Sequence, residues 1–262
     1  MYKNTQNADA GRNNMNFLKK FSRSQIFGFL SFLILWELTH LMLRTHTIPS
    51  PWETISYSIE KIDRLALHSL ASLLRILAGI GISMIIGIPI GVCLGVSKKL
   101  GYLFSPFLYF IYPIPKVAFL PIFMLLFGLG NRSKVILIIW IIIFQIILSV
   151  RDGISQISGI QYKVMDSFQA SSLQKYRFLI IPAILPQIFS GLRISIGISL
   201  ASLFFAENYA TQYGIGYYII SAWTKMNYVE MFSGIMTIGI LGVLLYQLID
   251  AIEEKAVPWN KR

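Results

Sequence analysis

Charge is scarce in this sequence. Only 13% of its 262 residues are Asp, Glu, Lys or Arg, against 55% hydrophobic residues. A soluble domain carries about 25% charged residues. With a mean hydropathy of +0.63, a soluble globular class is excluded and a membrane protein is indicated. Cysteine is nearly absent: Cys93 stands alone inside an apolar run, which rules out a disulfide framework. The three histidines, His40, His46 and His68, are scattered. They give no metal-ligand spacing and no Ser-His-Asp or Cys-His arrangement, so neither a metal, a cofactor nor an enzyme activity is expected. The phosphate-binding pattern GxxxxGK[ST] does not occur. The 262 residues offer no polar tract of domain size, so neither an ATPase nor an extracytoplasmic receptor is expected within them. Acidic residues are also few, 12 against 23 basic ones, for a net charge of +11. In a soluble chain that excess would suggest nucleic acid. Here it is read as the basic flanks that fix the topology of membrane spans, and no nucleic-acid partner is expected.

The sequence does hold long apolar runs. Crossing the hydrocarbon core takes about 20 apolar residues in a helix, and six stretches qualify as candidates: residues 26–43, 67–96, 103–129, 135–150, 188–210 and 231–249. The reading is therefore all-α, a six-span domain over residues 25–252. The Asn-rich segment 1–24 lacks an apolar core followed by a small-residue cleavage site. It is expected to be a disordered cytoplasmic tail, with residues 253–262 as a second one. If the N-terminus lies inside, 14 Lys and Arg residues fall in inner segments and six in outer loops. That bias favours both termini inside. It also puts a long basic loop, residues 151–187, in the cytoplasm.

The third run is chemically odd. Pro113, Pro115, Lys116 and Pro121 interrupt it. Proline frees backbone carbonyls that must be satisfied away from water, and a lysine at the membrane centre costs about 2.5–3.5 kcal/mol. The simplest reading is a kinked helix with Lys116 snorkelling to the surface. The other is that Lys116 and Pro121 line a pathway. Other charges in or near spans are functional candidates by default. Arg75 and Glu207 are both expected toward the outer face, where they could pair and serve the pathway or a gate. Glu37 is read as snorkelling or helix-pairing, and Arg193 as an anchor to lipid headgroups. The series Gly87-x-x-x-Gly91-x-x-x-Gly95 is a small-residue ridge for close helix approach, within the bundle or at a dimer seam. Pro89 can kink the same span. Tyr213, Tyr217, Tyr218 and Trp223 read as an interfacial aromatic belt or as part of a gate.

The basic loop has structure of its own. Val164, Met165 and Phe168 fall at i, i+1 and i+4, giving a short helix one apolar face with Asp166, Ser167 and Gln169 off it. Such a helix fits a groove of another protein or lies on a lipid surface. Pro182 and Pro186 are expected to end the helical run and redirect the chain into the fifth span.

Several stretches carry a family resemblance. They are PSPWE after the first span, HSLASLLRILAGIGISMIIGIPIGVCLG, PIPKVAFLPIFMLLFGLG, IIPAILPQIFSGLRISIGIS, FFAENYATQYGIGYYI and the terminal VPWNKR. In order and spacing these resemble the permease subunit of ATP-binding-cassette (ABC) importers of the nitrate/sulfonate/taurine group, over roughly residues 48–259. The resemblance implies the type I importer permease fold in a multi-pass protein of the bacterial or archaeal plasma membrane. It also implies a pair of ABC ATPase subunits, an extracytoplasmic solute-binding protein and a homodimer of the permease. The cytoplasmic loop then couples to the ATPase through Val164, Met165, Asp166, Phe168, Gln169, Ala170, Pro182, Pro186 and Gly191. The match departs from the family pattern in one place. The family's Glu-Ala-Ala falls on Lys163, Val164 and Met165, and its turn glycine falls on Gln169. The implied cargo is a small solute of sulfonate, taurine, nitrate or thiamine-precursor type. The alternative is a secondary transporter with ion-coupled carboxylates. That class usually shows an internal repeat, which is not detectable here.

Overall fold

The computed structural model describes residues 27–43 and 45–260, and among these every regular element is helical. Segment 1–24, read above as a tail, lies outside the described residues. The chain opens with α1 (Phe27–Leu43) and α2 (Pro51–Glu60). Next come α3 (Ile62–Val96), α4 (Lys98–Ile111), a 3-10 turn (Lys116–Phe119), α5 (Leu120–Phe127) and α6 (Asn131–Ser155). Two short helices follow, α7 (Gly159–Ser167) and α8 (Ser172–Lys175). A π turn (Tyr176–Ile180) leads into α9 (Ile181–Glu207), then α10 (Ile215–Thr224) and α11 (Tyr228–Ala256). Among the described residues, four helical stretches are long and apolar enough to cross a membrane: α3, α6, Ser172–Glu207 and α11. A fifth is counted if the bent pair α4 and Lys116–Phe127 is one span. Phe27–Leu43 is apolar but shorter.

The most extensive packing joins α3 to α6, and α6 to α9, with α11 laid against α9. The glycine ridge explains the first contact. A Cβ on Gly87 would sit 3.1 Å from Ile146, one on Gly91 2.7 Å from Val150, and one on Gly95 2.7 Å from Ile154. Gly79 meets Ile138 in the same way. The ridge is therefore an internal seam, with α6 isoleucines and Val150 filling the space that side chains on α3 would need. Gly81, off that line, faces open space. The helix α3 runs unbroken through Pro89.

Three sequence expectations change here. The third run does not form one kinked helix. It breaks between Ile111 and Lys116, and its halves diverge by 85°. Pro113 and Pro115 lie in the break, where they can donate no ladder hydrogen bonds. Lys116 lies at the far side of that break. It folds back so that its Nζ donates to the Tyr112 carbonyl at 3.0 Å, over the Tyr112 and Phe144 rings at 5.2 and 5.8 Å. It thus supplies a donor to a carbonyl at the end of α4. Pro121 occupies the first turn of α5, where a missing N–H costs nothing. Secondly, Pro182 and Pro186 do not end the helical run, because both sit inside the continuous stretch Ser172–Glu207. The π turn re-registers the ladder just ahead of Pro182, with Ile181 N–H reaching back to Tyr176 O. Thirdly, Arg193 is not a headgroup anchor. Its Nε donates to Asp250 Oδ1 at 2.8 Å, and its guanidinium also pairs with Glu253. That pairing ties α9 to the last turns of α11, which continues four residues beyond the expected boundary at 252.

Candidate functional site

Two places in this bundle carry chemistry, and they lie at opposite ends of α6. At its start, Glu207 is almost wholly buried, 1% exposed, at the last turn of α9. A carboxylate cannot stay ionised there without partners. Three groups serve it. Arg75 of α3 forms an ion pair with it. Ser72 Oγ donates to both carboxylate oxygens at 2.8 and 2.9 Å. The Gly216 N–H donates to Oε2 at 2.9 Å. Arg75 in turn donates from Nε and Nη2 to Asn131 Oδ1, at 3.0 and 2.7 Å. The expected meeting of Arg75 and Glu207 is thus present, one helical turn along α3 from Ser72.

Local sequence explains the geometry. Ser72 and Arg75 are three residues apart, so they share one face of α3. Gly214 has φ +146, and a Cβ there would collide with the Glu207 carboxylate. A Cβ on Gly216 would come within 2.5 Å of the Phe204 carbonyl. These two glycines let the backbone after α9 fold back over the carboxylate. The Ala-Glu and Gly-x-Gly-Tyr elements of the sequence are therefore two halves of one site. The Gly214 N–H donates to His68 Nδ1 at 3.1 Å, and the Ile215 N–H donates to Ser72 Oγ at 2.9 Å. Around His68 stand Tyr213, Tyr217 and Tyr218, with centroids 5.9, 6.0 and 5.2 Å away. Tyr218 is core, not part of an interfacial belt: it is buried and within 3.4 Å of Ser233 Oγ. Tyr213 and Trp223 remain exposed.

Lys134 was missed by sequence reasoning, which counted it as a loop charge. It is fully buried at the start of α6, with Nζ donating to the carbonyls of Leu129 and Gly130 at 3.2 and 3.3 Å. It lies within electrostatic reach of Arg75 and Glu207. Arg75 alone pairs with the carboxylate, while the Lys134 ammonium is satisfied by backbone carbonyls. The available signal was its spacing: Lys134 follows Asn131 by three residues on a helix that begins at Asn131. Beside the cluster is a cavity of about 650 Å³, lined by Arg75, Asn131, Leu74, Thr211, Gln212 and Tyr213 among others. Ala210, at its margin, has φ +45, a left-handed conformation uncommon for a residue with a side chain. Lys116 follows the α4–α5 break and Pro121 lies in the first turn of α5, and neither lines this cavity. Among the described residues no group of three His, Cys, Asp or Glu side chains could hold a metal.

At the other end of α6 is the projection formed by α7 and α8. Ser158 and Gln161 close a capping box on α7, and Ser171 and Gln174 close one on α8. Between them α7 ends in a Schellman turn. The Ala170 N–H donates to Met165 O at 3.0 Å, and the Gln169 N–H to Asp166 O at 2.9 Å. Gln169 takes φ +53, the conformation that glycine adopts most easily. Lys175 pairs with Asp166 at 2.5 Å across the turn. The apolar face differs from the expected one. Met165 is half-buried, whereas Ile160, Val164, Phe168 and Leu173 are 73, 48, 78 and 77% exposed. Ile160, Val164 and Phe168 recur every four residues and so form one stripe. Pro182, Pro186 and Gly191 lie in α9, away from the projection. A Cβ on Gly191 would collide with Ser149 of α6.

Residues 83–258 match the family model described as "Binding-protein-dependent transport system inner membrane component". The chain belongs to this family. It is a multi-pass membrane protein of the ABC importer permease class, whose members are not themselves ATPases. It is 31% identical to the taurine transport system permease protein TauC of Escherichia coli over 193 residues, covering 74% of this chain and 70% of that protein. It is 25% identical to the formylaminopyrimidine transport permease protein ThiX of Halalkalibacterium halodurans, covering 89% of this chain and 94% of that protein. Among solved structures, an inward-facing form of the MetNI methionine ABC transporter matches with a TM-score of 0.60. It does so at 18% identity, over 78% of this chain and 99% of that one. At that identity the likeness concerns the fold.

Proposed function

We propose that this permease forms the translocation pathway of an ATP-driven importer, as a homodimer of six-span subunits with both termini in the cytoplasm. Residues 158–175 are its docking element for an ABC ATPase dimer, and an extracytoplasmic solute-binding protein delivers the cargo. The observation that carries this reading is the exposed stripe Ile160, Val164 and Phe168, with Leu173 on the following helix. Two capping boxes and a Schellman turn, all local to the segment, fix the backbone that carries these side chains. Large apolar side chains so exposed on a short rigid helix mark a protein contact. ATP-driven closure of the ATPase pair would move the projection, and α6 and α9, which flank it in sequence, would carry that motion to the far end of the bundle. There the Arg75–Glu207 cluster and its cavity are the candidate gate. The α4–α5 break at Lys116 and Pro121 is a second candidate wall of the pathway. The cargo is a small solute of sulfonate, taurine, nitrate or thiamine-precursor type, the range suggested by relatives such as TauC and ThiX.

The test is co-purification. Tagged protein solubilised from its native membranes is expected to retain an ABC ATPase in near-equal amount, identified by mass spectrometry. Replacing Ile160 and Phe168 with Asp is expected to abolish retention with thermal stability unchanged, since exposed substitutions usually cost less than about 0.5 kcal/mol. Retention of the ATPase by that variant would remove the docking role from these residues.

A further inference from the structure

The charge on the docking projection goes beyond its shape. Between Gln156 and Ile180 the only acidic residue is Asp166, and Lys175 already pairs with it. The remaining cations of the segment are Lys163 and Arg177. Both are exposed, and neither makes an ion pair among the described residues. Arg177 lies over the ring of Phe178, 5.5 Å away. Lys163 is different. It falls three residues after Ile160 and one before Val164, so it borders the apolar stripe itself. A surface that covers Ile160, Val164 and Phe168 therefore brings its rim alongside Lys163. An apolar or basic surface there would leave the charge desolvated or repelled, at a cost that selects against it.

We infer that the groove receiving this projection is apolar at its floor and carries a carboxylate at its rim, opposite Lys163. The partner is a cytoplasmic protein subunit whose docking surface is acidic where α7 lies. This rests on the docking assignment proposed above and adds the sign of the charge that the ATPase subunit must present. A membrane surface would also attract a basic segment. It is disfavoured by geometry: two caps, a Schellman turn and the Asp166–Lys175 pair fold the segment into one nine-residue helix, α7, that turns sharply back into the long helical stretch Ser172–Glu207. A lipid-bound element is typically one continuous amphipathic helix.

The experiment uses the intact complex purified from native membranes. A zero-length carbodiimide joins an amine to a carboxylate only in direct contact. Tryptic mass spectrometry is expected to find Lys163 linked to an Asp or Glu of the co-purifying ATPase. In parallel, Lys163→Glu is expected to lower ATPase retention at low salt by roughly three- to tenfold. Wild-type retention is expected to fall as salt rises, and that of the variant to stay flat or rise. Lys163→Met, which keeps the apolar stem, is expected to fall between them. If the wild-type complex forms but Lys163 links to no ATPase carboxylate, and Lys163→Glu retains the ATPase equally at every salt, the inference is overturned. The docking role itself stands in that case provided Ile160→Asp/Phe168→Asp loses the ATPase. If that double variant also retains it, the docking role fails and the inference with it. Shielding of Lys163 that requires anionic lipid in nanodiscs, with or without the ATPase, would assign the face to the bilayer and overturn it as well.

Discussion

At Asn131, α6 begins beside Arg75, Lys134 and Glu207, ionisable side chains withdrawn almost completely from solvent. At Ser155, about 37 Å along the helix at 1.5 Å per residue, it ends beside a projection that holds Ile160, Phe168 and Leu173 outside. One end buries charge and the other exposes hydrocarbon. The first arrangement is closed: Arg75 and Glu207 are partnered by each other and by Ser72, Asn131 and Gly216 from elements far apart in sequence, and Lys134 is held by the Leu129 and Gly130 carbonyls just ahead of it. The second is open, because its apolar side chains are held by local caps and cover nothing. A closed polar network marks where the chain holds itself together, and an open apolar stripe marks where it meets something else. The two ends are joined by α6 and α9, which pack along the same isoleucine-rich core.

The comparison breaks most sharply at Glu207. Glu207→Leu leaves Arg75 buried without its carboxylate and is expected to cost about 3–5 kcal/mol, the range for halving a buried pair. Thermal unfolding in detergent would measure it. The double variant Arg75→Met/Glu207→Leu is expected to lose less than the sum of its single changes. Strict additivity would mean that the two side chains do not act as a pair.

The connection between the ends comes next. Gly91→Ala puts a Cβ 2.7 Å from Val150 and is expected to cost about 1–3 kcal/mol through overpacking. Gly81→Ala, which meets nothing within 4 Å, serves as the control and is expected to be neutral or slightly stabilising. Equal effects at the two positions would remove the α3–α6 seam from the explanation.

The smallest effect is expected in the projection. Gln169→Gly relieves a left-handed residue of its side chain and is expected to stabilise the turn by about 0.5–1 kcal/mol. Slower amide exchange at Gln169 and Ala170 would register it. Faster exchange would show that the Gln169 side chain supports the turn in some way its backbone does not reveal.

Much of this was legible in the sequence, and the limits have physical reasons. The apolar runs located the helices because crossing a bilayer demands length and hydropathy together. The i, i+4 glycines located a close helix contact because a row of residues without side chains lets two backbones approach. Arg75 and Glu207 could be placed at the same end because both sit near the ends of runs. The break at residues 112–115 was not legible as a break: hydropathy sums apolarity and is blind to an 85° turn. Lys134 was hidden because a lysine next to a span is ordinarily a flank, and only the packing of α6 against α3, α5 and α9 makes it interior. Arg193 was misread for the same reason, since Asp250 and Glu253 lie some 60 residues away. In the loop, the amphipathic spacing found Val164 and Phe168. It put Met165 on the wrong side, because three candidates one and four apart do not fix which way a nine-residue helix faces.

The most direct measurement is amide hydrogen exchange on the purified complex, before and after the ATPase is stripped away. The expected result is strong protection of residues 158–175 that is lost on stripping, with residues 207–216 protected equally in both states. Unchanged exchange across 158–175, with the ATPase verified as bound and then removed, would contradict the claim that this projection is where the permease meets its motor.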